Sequence, residues 1–263
     1  MTNLDHLLHK HELYHKKPAI LSALKHSIGM EKVKMDEEDI PVGSSKLGGL
    51  PDMPDSMEFP RYENGHLSFL GQFNLKEAKP YDKDQLLPEN GILYLFYDVY
   101  EQPWGFEEEE GGFKILYYDG EISQLKRRAY PETTEDYFPL DACKVSFNSL
   151  LTISEHPDNL SFAGEEEEER FWSFRQDLMQ PEDEEGHIQP AHYMLGEPLN
   201  IQNNVFEDLY DKEGEPVLLL QIDSDEEDLG VMWGDSGILY FCMERKQLAN
   251  KQFDQVAFTL QCF

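Results

Sequence analysis

Repetition is what most constrains the fold: three short strings recur in the same order within the chain. The first set runs Leu47-Gly48-Gly49-Leu50-Pro51, then Phe69-Leu70-Gly71-Gln72-Phe73, then Gly91-Ile92-Leu93-Tyr94-Leu95-Phe96. The second runs Leu195-Gly196-Glu197-Pro198, then Leu218-Leu219-Leu220-Gln221-Ile222, then Gly237-Ile238-Leu239-Tyr240-Phe241. Ordered matches with similar gaps predict two related half-units. The expected equivalences are residues near 67–73 with 217–223, and near 91–97 with 237–243.

The rest of the chain fits around those strings. Residues 4 to about 30 read as helical, because Leu4, Leu7, Leu8, Leu13, Ile20, Leu21, Leu24 and Ile28 recur at intervals of three to four. Pro18 is placed to start a second helix and Gly29 to stop it. Beyond residue 41 the signals are strands: 67–73, 91–99, 113–118, 143–153, 217–222, 237–243 and 256–262. Asn64-Gly65 suits a hairpin turn. Between the halves, Glu165 to Glu169 and Glu182-Asp183-Glu184-Glu185 flank Phe171, Trp172, Phe174, Leu178 and Met179, spaced like one helix face. Like charges side by side predict mobile runs there and at Glu107 to Glu110. The division is an N-terminal helical segment (1–40), a first β-rich half-unit (41–160), an acidic crossover with a short helix (161–190) and a second half-unit (191–263). Together they form one compact domain.

Charge narrows the partners. Against 22 Lys and Arg stand 53 Asp and Glu, a formal net charge of -31. Such a field repels nucleic acid and anionic membranes and favours a basic protein. Cys143, Cys242 and Cys262 are odd in number and set in apolar strings, which suits reduced, buried thiols. No apolar run is long enough to span a bilayer, and no leader pattern opens the chain. The expected setting is the cytoplasm.

Several strings resemble those of the YwqG-like family of bacterial proteins. Val217 to Asp225 followed by Met232-Trp233-Gly234-Asp235-Ser236-Gly237 is similar to its C-terminal signature, and His192-Tyr193-Met194-Leu195-Gly196 to the stretch upstream. Lys46 to Pro51 and Leu70 to Leu75 are similar to the N-terminal counterpart. The chain departs from the family at Glu197 and at Phe59-Pro60, where an aromatic and Trp-Pro are common. The resemblance spans about residues 40 to 263. It implies a mainly-β, roll-like fold, α+β at its periphery, in a bacterial cytosol, with no established reaction.

His11 and His15 have the i, i+4 spacing of a helical chelate, but Lys10, Lys16 and Lys17 beside them oppose a cation. Asp223, Asp225 and Asp228 are weak metal candidates, since the loop lacks the Gly and Glu that a calcium-binding EF-hand requires. Ser236 lies outside a GxSxG elbow, and neither Gly48-Gly49 nor Gly111-Gly112 is followed by the Lys-Ser/Thr of a phosphate loop. No catalytic residue and no cofactor are therefore assigned. Gln72 and Gln221, at matching strand positions, are either caps on buried backbone or a ligand-binding pair in a cleft between the halves. Trp233 and Asp235 are further ligand-binding candidates. The sequence supports a non-enzymatic, immunity-type binder of a basic protein. The alternative is a small-molecule or divalent-metal enzyme with its cleft between the half-units.

Overall fold

Alternating apolar side chains build the strands, and ten strands join in one sheet. The computed structural model describes residues 4–63, 65–131, 139–182, 186–210 and 214–263. In chain order the elements are α1 (Leu4–Lys10), α2 (Lys17–Ala23), β1 (Lys25–Lys34), β2 (Lys46–Leu47), β3 (Ser68–Asn74), α3 (Leu75–Ala78), β4 (Ile92–Tyr97) and β5 (Phe113–Tyr118). There follow β6 (Cys143–Thr152), α4 (Glu165–Met179), β7 (Tyr193–Met194), α5 (Val205–Leu209), β8 (Pro216–Asp223), β9 (Ile238–Glu244), α6 (Arg245–Ala249) and β10 (Ala257–Gln261). The sheet is an antiparallel half-barrel in the order β10-β9-β8-β7-β1-β6-β2-β3-β4-β5. Arg61–Tyr62 pairs with Gly65–His66, while Asn64 of the expected turn lies outside the described residues, as do Asp183 to Glu185 of the acidic crossover.

The N-terminal segment differs from its expected form. The helices end at Ala23, and Lys25–Lys34 is a strand at the middle of the sheet. It pairs along its length with β6, from Lys25 with Thr152 to Lys34 with Cys143. The spacing of Ile20, Leu24 and Ile28 mimics a helix, but pairing on both sides of β1 overrides that local signal. Gly29 stops no helix. It sits mid-strand, where a Cβ would lie 2.3 Å from Asn148 Oδ1. β1 therefore joins β7 to β10, whereas β6 joins β2 to β5.

Aromatic and aliphatic side chains fill both faces. The inner face buries Phe73, Leu95, Trp233, Phe241 and Phe258 in one cluster drawn from both ends of the sheet. Outside β3 to β5 lie Phe59, Phe69, Tyr94 and Phe96. Outside β7 to β9 lie Phe171, Phe174, Tyr193 and Tyr240. Burying side chains of this size stabilises by roughly 1.5–3 kcal/mol each.

Two of the acidic runs are helical, contrary to the sequence expectation: Glu107–Glu109 forms one 3-10 turn and Glu165 to Glu169 open α4. At the start of α4, carboxylates complement the helix dipole. Phe171, Phe174 and Leu178 turn inward, while Trp172 faces out at 36% exposure. Glu167 is buried; it accepts the Ala163 N–H at 2.6 Å, meets His15 Nε2 at 2.7 Å and pairs with Lys16 Nζ at 3.3 Å. His11 likewise pairs with Asp177 at 2.7 Å, so the two histidines meet carboxylates on α4 rather than each other. Glu109 Oε2 accepts the N–H groups of Trp104, Gly105 and Phe106.

A pH-dependent prediction follows from α4. The Ala163 N–H, with the His15 hydrogen bond and the Lys16 ammonium, holds the Glu167 carboxyl down to about 2, below its ordinary 4.5. A depressed carboxyl stabilises the fold above its unfolded value and loses that contribution as pH falls toward the folded one. Glu167→Gln should lower the melting temperature at pH 7, and the gap to the parent protein should close between pH 4.5 and 2. The paired change Glu165→Gln/Glu166→Gln, at exposed positions, should shift it little. A Glu167→Gln protein as stable as its parent at pH 7 would count against this role.

Candidate functional site

Gln72 and Gln221 make the same bonds at matching places. The Gln72 amide accepts the Asp52 N–H at 2.8 Å and donates to Ser44 O at 2.8 Å. The Gln221 amide accepts the Leu199 N–H at 3.1 Å and donates to Ala191 O at 2.8 Å. Tyr94 and Tyr240, the cross-strand neighbours of these glutamines, donate to Asp52 O and Leu199 O. Each strand also slips register at the same point, between Phe69 and Gly71 and between Leu218 and Leu220. The loops they hold match as well, one residue out of step with the sequence strings. Gly48 and Gly49 have φ of 64° and 68°, and Leu195 and Gly196 have 62° and 79°.

These bonds define what the glutamines can do. Both side chains are fully buried and face outward from the sheet, beneath different layers. The structure does not bring them together in a cleft; each spends its amide on backbone that would otherwise be buried without partners.

Beneath the first loop lies a charged network absent from the sequence expectations. Asp52, fully buried, receives Arg127 Nε at 2.9 Å, the Gly43 N–H at 2.9 Å and Gln72 Nε2 at 2.9 Å. Lys46, also fully buried, reaches Glu37 at 2.7 Å and Asp52 at 3.7 Å. Burial pushes the Lys46 ammonium below its ordinary value, against the pull of the two carboxylates. Arg127 joins Glu37 at 2.8 Å and donates to the carbonyls of Glu37 and Ile40. Nothing local foretells the burial of Lys46, because a single cation beside Leu47 carries no periodic signal.

The aspartates after β8 form a second cluster. Asp223 accepts the Ala191 N–H at 2.7 Å and a Gln180 N–H at 3.1 Å; burial pushes its carboxyl up. Asp225 and Asp228, two of the weak metal candidates, share the Lys32 ammonium at 3.1 and 2.5 Å. Burial opposes the Asp225 charge, yet the bond from His192 and nearby cations hold its carboxyl down to about 2. His192 Nδ1 accepts the Asp223 N–H at 3.1 Å, which leaves Nε2–H to donate to Asp225 at 3.3 Å. With both nitrogens engaged, the imidazole has none free to act as a general base. Cys143 nearby is a buried thiol, pushed up to about 12 by burial. Among the described residues no group of three or more His, Cys, Asp or Glu is arranged to hold a metal.

Trp233 is fully buried, its indole donating to Asp223 O at 3.1 Å and its ring edge-on to Tyr97 at 5.6 Å. It is core. Asp235 is exposed, in the turn before β9, and its carbonyl accepts the Phe263 N–H.

A wide opening lies where the ends of the sheet approach. Phe113 of β5 packs on Phe258 of β10 at 5.1 Å and on Phe241 of β9 at 5.6 Å. Yet among the described residues β5 pairs with no strand but β4, and β10 with none but β9. Between them runs a groove of about 1040 Å³. Successive residues Phe113 to Leu116 and Val256 to Phe258 line its two sides. Phe59, Phe106 and Phe253 add apolar surface, and Phe106 is 63% exposed. Five carboxylates, those of Glu58, Glu107, Glu109, Glu110 and Asp254, face two cations, Arg61 and Lys114. Glu58, the run Glu107 to Glu110 and Asp254 are far apart in sequence, so nothing local foretells that they meet here.

Residues 45–262 match the family described as a domain of unknown function, DUF1963. The matched span opens just before β2, so β1 lies outside it. No curated protein matches the chain. No helix among the described residues is long and apolar enough to cross a membrane.

Proposed function

We propose, from the premise that the chain belongs to the DUF1963 family of unknown function, that it is a non-enzymatic binding protein for a basic protein partner. The observation that carries this reading is the groove between β5 and β10, apolar within and bordered by five carboxylates against two cations. A net charge of -31 steers a cationic partner toward the molecule, and the groove supplies a place to dock. The engaged histidine and high-lying thiol of the Asp225 cluster fit a binder better than a catalyst. Its resemblance to the YwqG-like family and a bacterial, cytoplasmic setting belong to the same reading. So does the descent of the two strand sets from one duplicated unit. An immunity-type role adds that the partner is a toxin whose basic surface the groove masks.

Binding of a strongly basic globular protein, such as pancreatic ribonuclease, tests the reading by titration calorimetry. Affinity should fall at least tenfold between about 30 and 300 mM salt, as screening shortens the reach of the charges. The variant Glu107→Gln/Glu110→Gln/Asp254→Asn should weaken binding at low salt at least fivefold. An equal charge change elsewhere, Asp158→Asn/Glu226→Gln/Glu227→Gln, should weaken it less than twofold. Equal losses in both variants would mean bulk charge without a site, and the reading would fall.

A further inference from the structure

We infer that the groove recognises its partner through the main chain. An extended, basic segment adds to the free edge of β5 as an eleventh strand. This rests on the basic-partner reading and gives it a mode of binding.

The two terminal strands are not equivalent. Along β10, the segment Trp104-Gly105 already lies against the outer edge: Leu260 N–H donates to Trp104 O at 3.2 Å. A Cβ on Gly105 would stand 2.3 Å from Phe258 O, so the approach there is backbone to backbone. Along β5, no backbone bond among the described residues joins Phe113–Tyr118 to any strand but β4. A strand edge with unpaired N–H and C=O groups is a template for another strand.

Side chains set what that strand must be. On β5, Phe113 and Ile115 face the inner core, while Lys114 and Leu116 face the outer layer. An added strand keeps this alternation. Its inward residues meet Phe113, Phe253 and Phe258, which calls for apolar side chains. Its remaining residues reach the rim of Glu58, Glu107, Glu110 and Asp254, which calls for Lys or Arg. A second copy of this chain is the wrong occupant, because two molecules of charge -31 would bring acidic rims together.

Fluorescence anisotropy with a labelled, end-capped seven-residue peptide of alternating Lys and Val tests this. Its comparator carries the same charges but has N-methyl groups on alternate residues of the pairing edge, which removes strand donors without touching the protein. The expected result is at least tenfold weaker binding of the methylated peptide. Amide hydrogen exchange across Phe113–Tyr118 should also slow on adding the plain peptide. Equal binding of both peptides would overturn strand addition and leave the basic-partner reading standing. So would a basic globular protein that binds while neither peptide does, or a dimer of the chain that excludes the peptide. If neither peptide nor basic protein binds at low salt, both readings fall.

Discussion

Replacing Asp52 by alanine is expected to destabilise the protein by about 3–5 kcal/mol, the usual cost of breaking a buried charge pair from one side. The carboxylate is the acceptor on which Arg127, Gln72 and the Gly43 N–H converge, with Lys46 beside it. Without it, two cations face Glu37 alone, and two neutral donors are left without their acceptor. Lys46→Met should cost less than half as much, because Arg127 still neutralises Glu37 and Asp52, and the methionine fills similar space. Urea unfolding of the two variants checks the order. An Asp52→Ala protein within about 1 kcal/mol of the parent would mean that the freed charges reach water, and that the network is less closed than its distances imply.

Trp233→Ala should cost a comparable amount, about 3–5 kcal/mol, for loss of a large buried ring and the cavity left behind. The ring touches Tyr97 of β4 from a loop that follows β8, so it ties together strands from opposite ends of the sheet. Trp233→Phe keeps most of the volume but deprives Asp223 O of its donor. The cost there should be about 1–3 kcal/mol. Thermal unfolding should rank the alanine variant below phenylalanine and phenylalanine below the parent. A rank reversed, or an alanine variant with unchanged stability, would contradict a core role for this indole.

What could be read in advance depended on whether a signal was local. The strands around Gln72, Tyr94, Gln221 and Tyr240 were legible because alternation and repetition lie within a few residues of chain. The mainly-β class followed from them. β1 was misread because Ile20, Leu24 and Ile28 happen to keep helical spacing, and its partners β6 and β7 are remote in sequence. The glutamates of α4 were misread for a related reason. Repulsion among them is visible in the sequence, whereas His15, Lys16 and the Ala163 N–H that settle Glu167 are brought by the fold. The Asp52 network and the groove were invisible on the same ground, since each assembles single residues from distant loops. Gln72 and Gln221 can be paired from the repeated strings, and only the bonds show that each serves its own loop.

The pairing of β1 with strands made much later governs how the chain acquires its shape during synthesis. β1 leaves the ribosome early, yet Gly29 must wait for Asn148 and Tyr193 before either edge of its strand is satisfied. At roughly 5–20 residues per second the first of these delays is on the order of ten seconds. Through that interval β2 to β5 can form their hairpins while Ile28 and Met30, core residues of the finished protein, remain uncovered. The set β2 to β6 can complete from its own run of chain, whereas β7 to β10 must recruit β1 from the N-terminal segment. The second half of the sheet therefore commits late, and a chain truncated before Cys143 would carry an unpaired β1 edge open to aggregation.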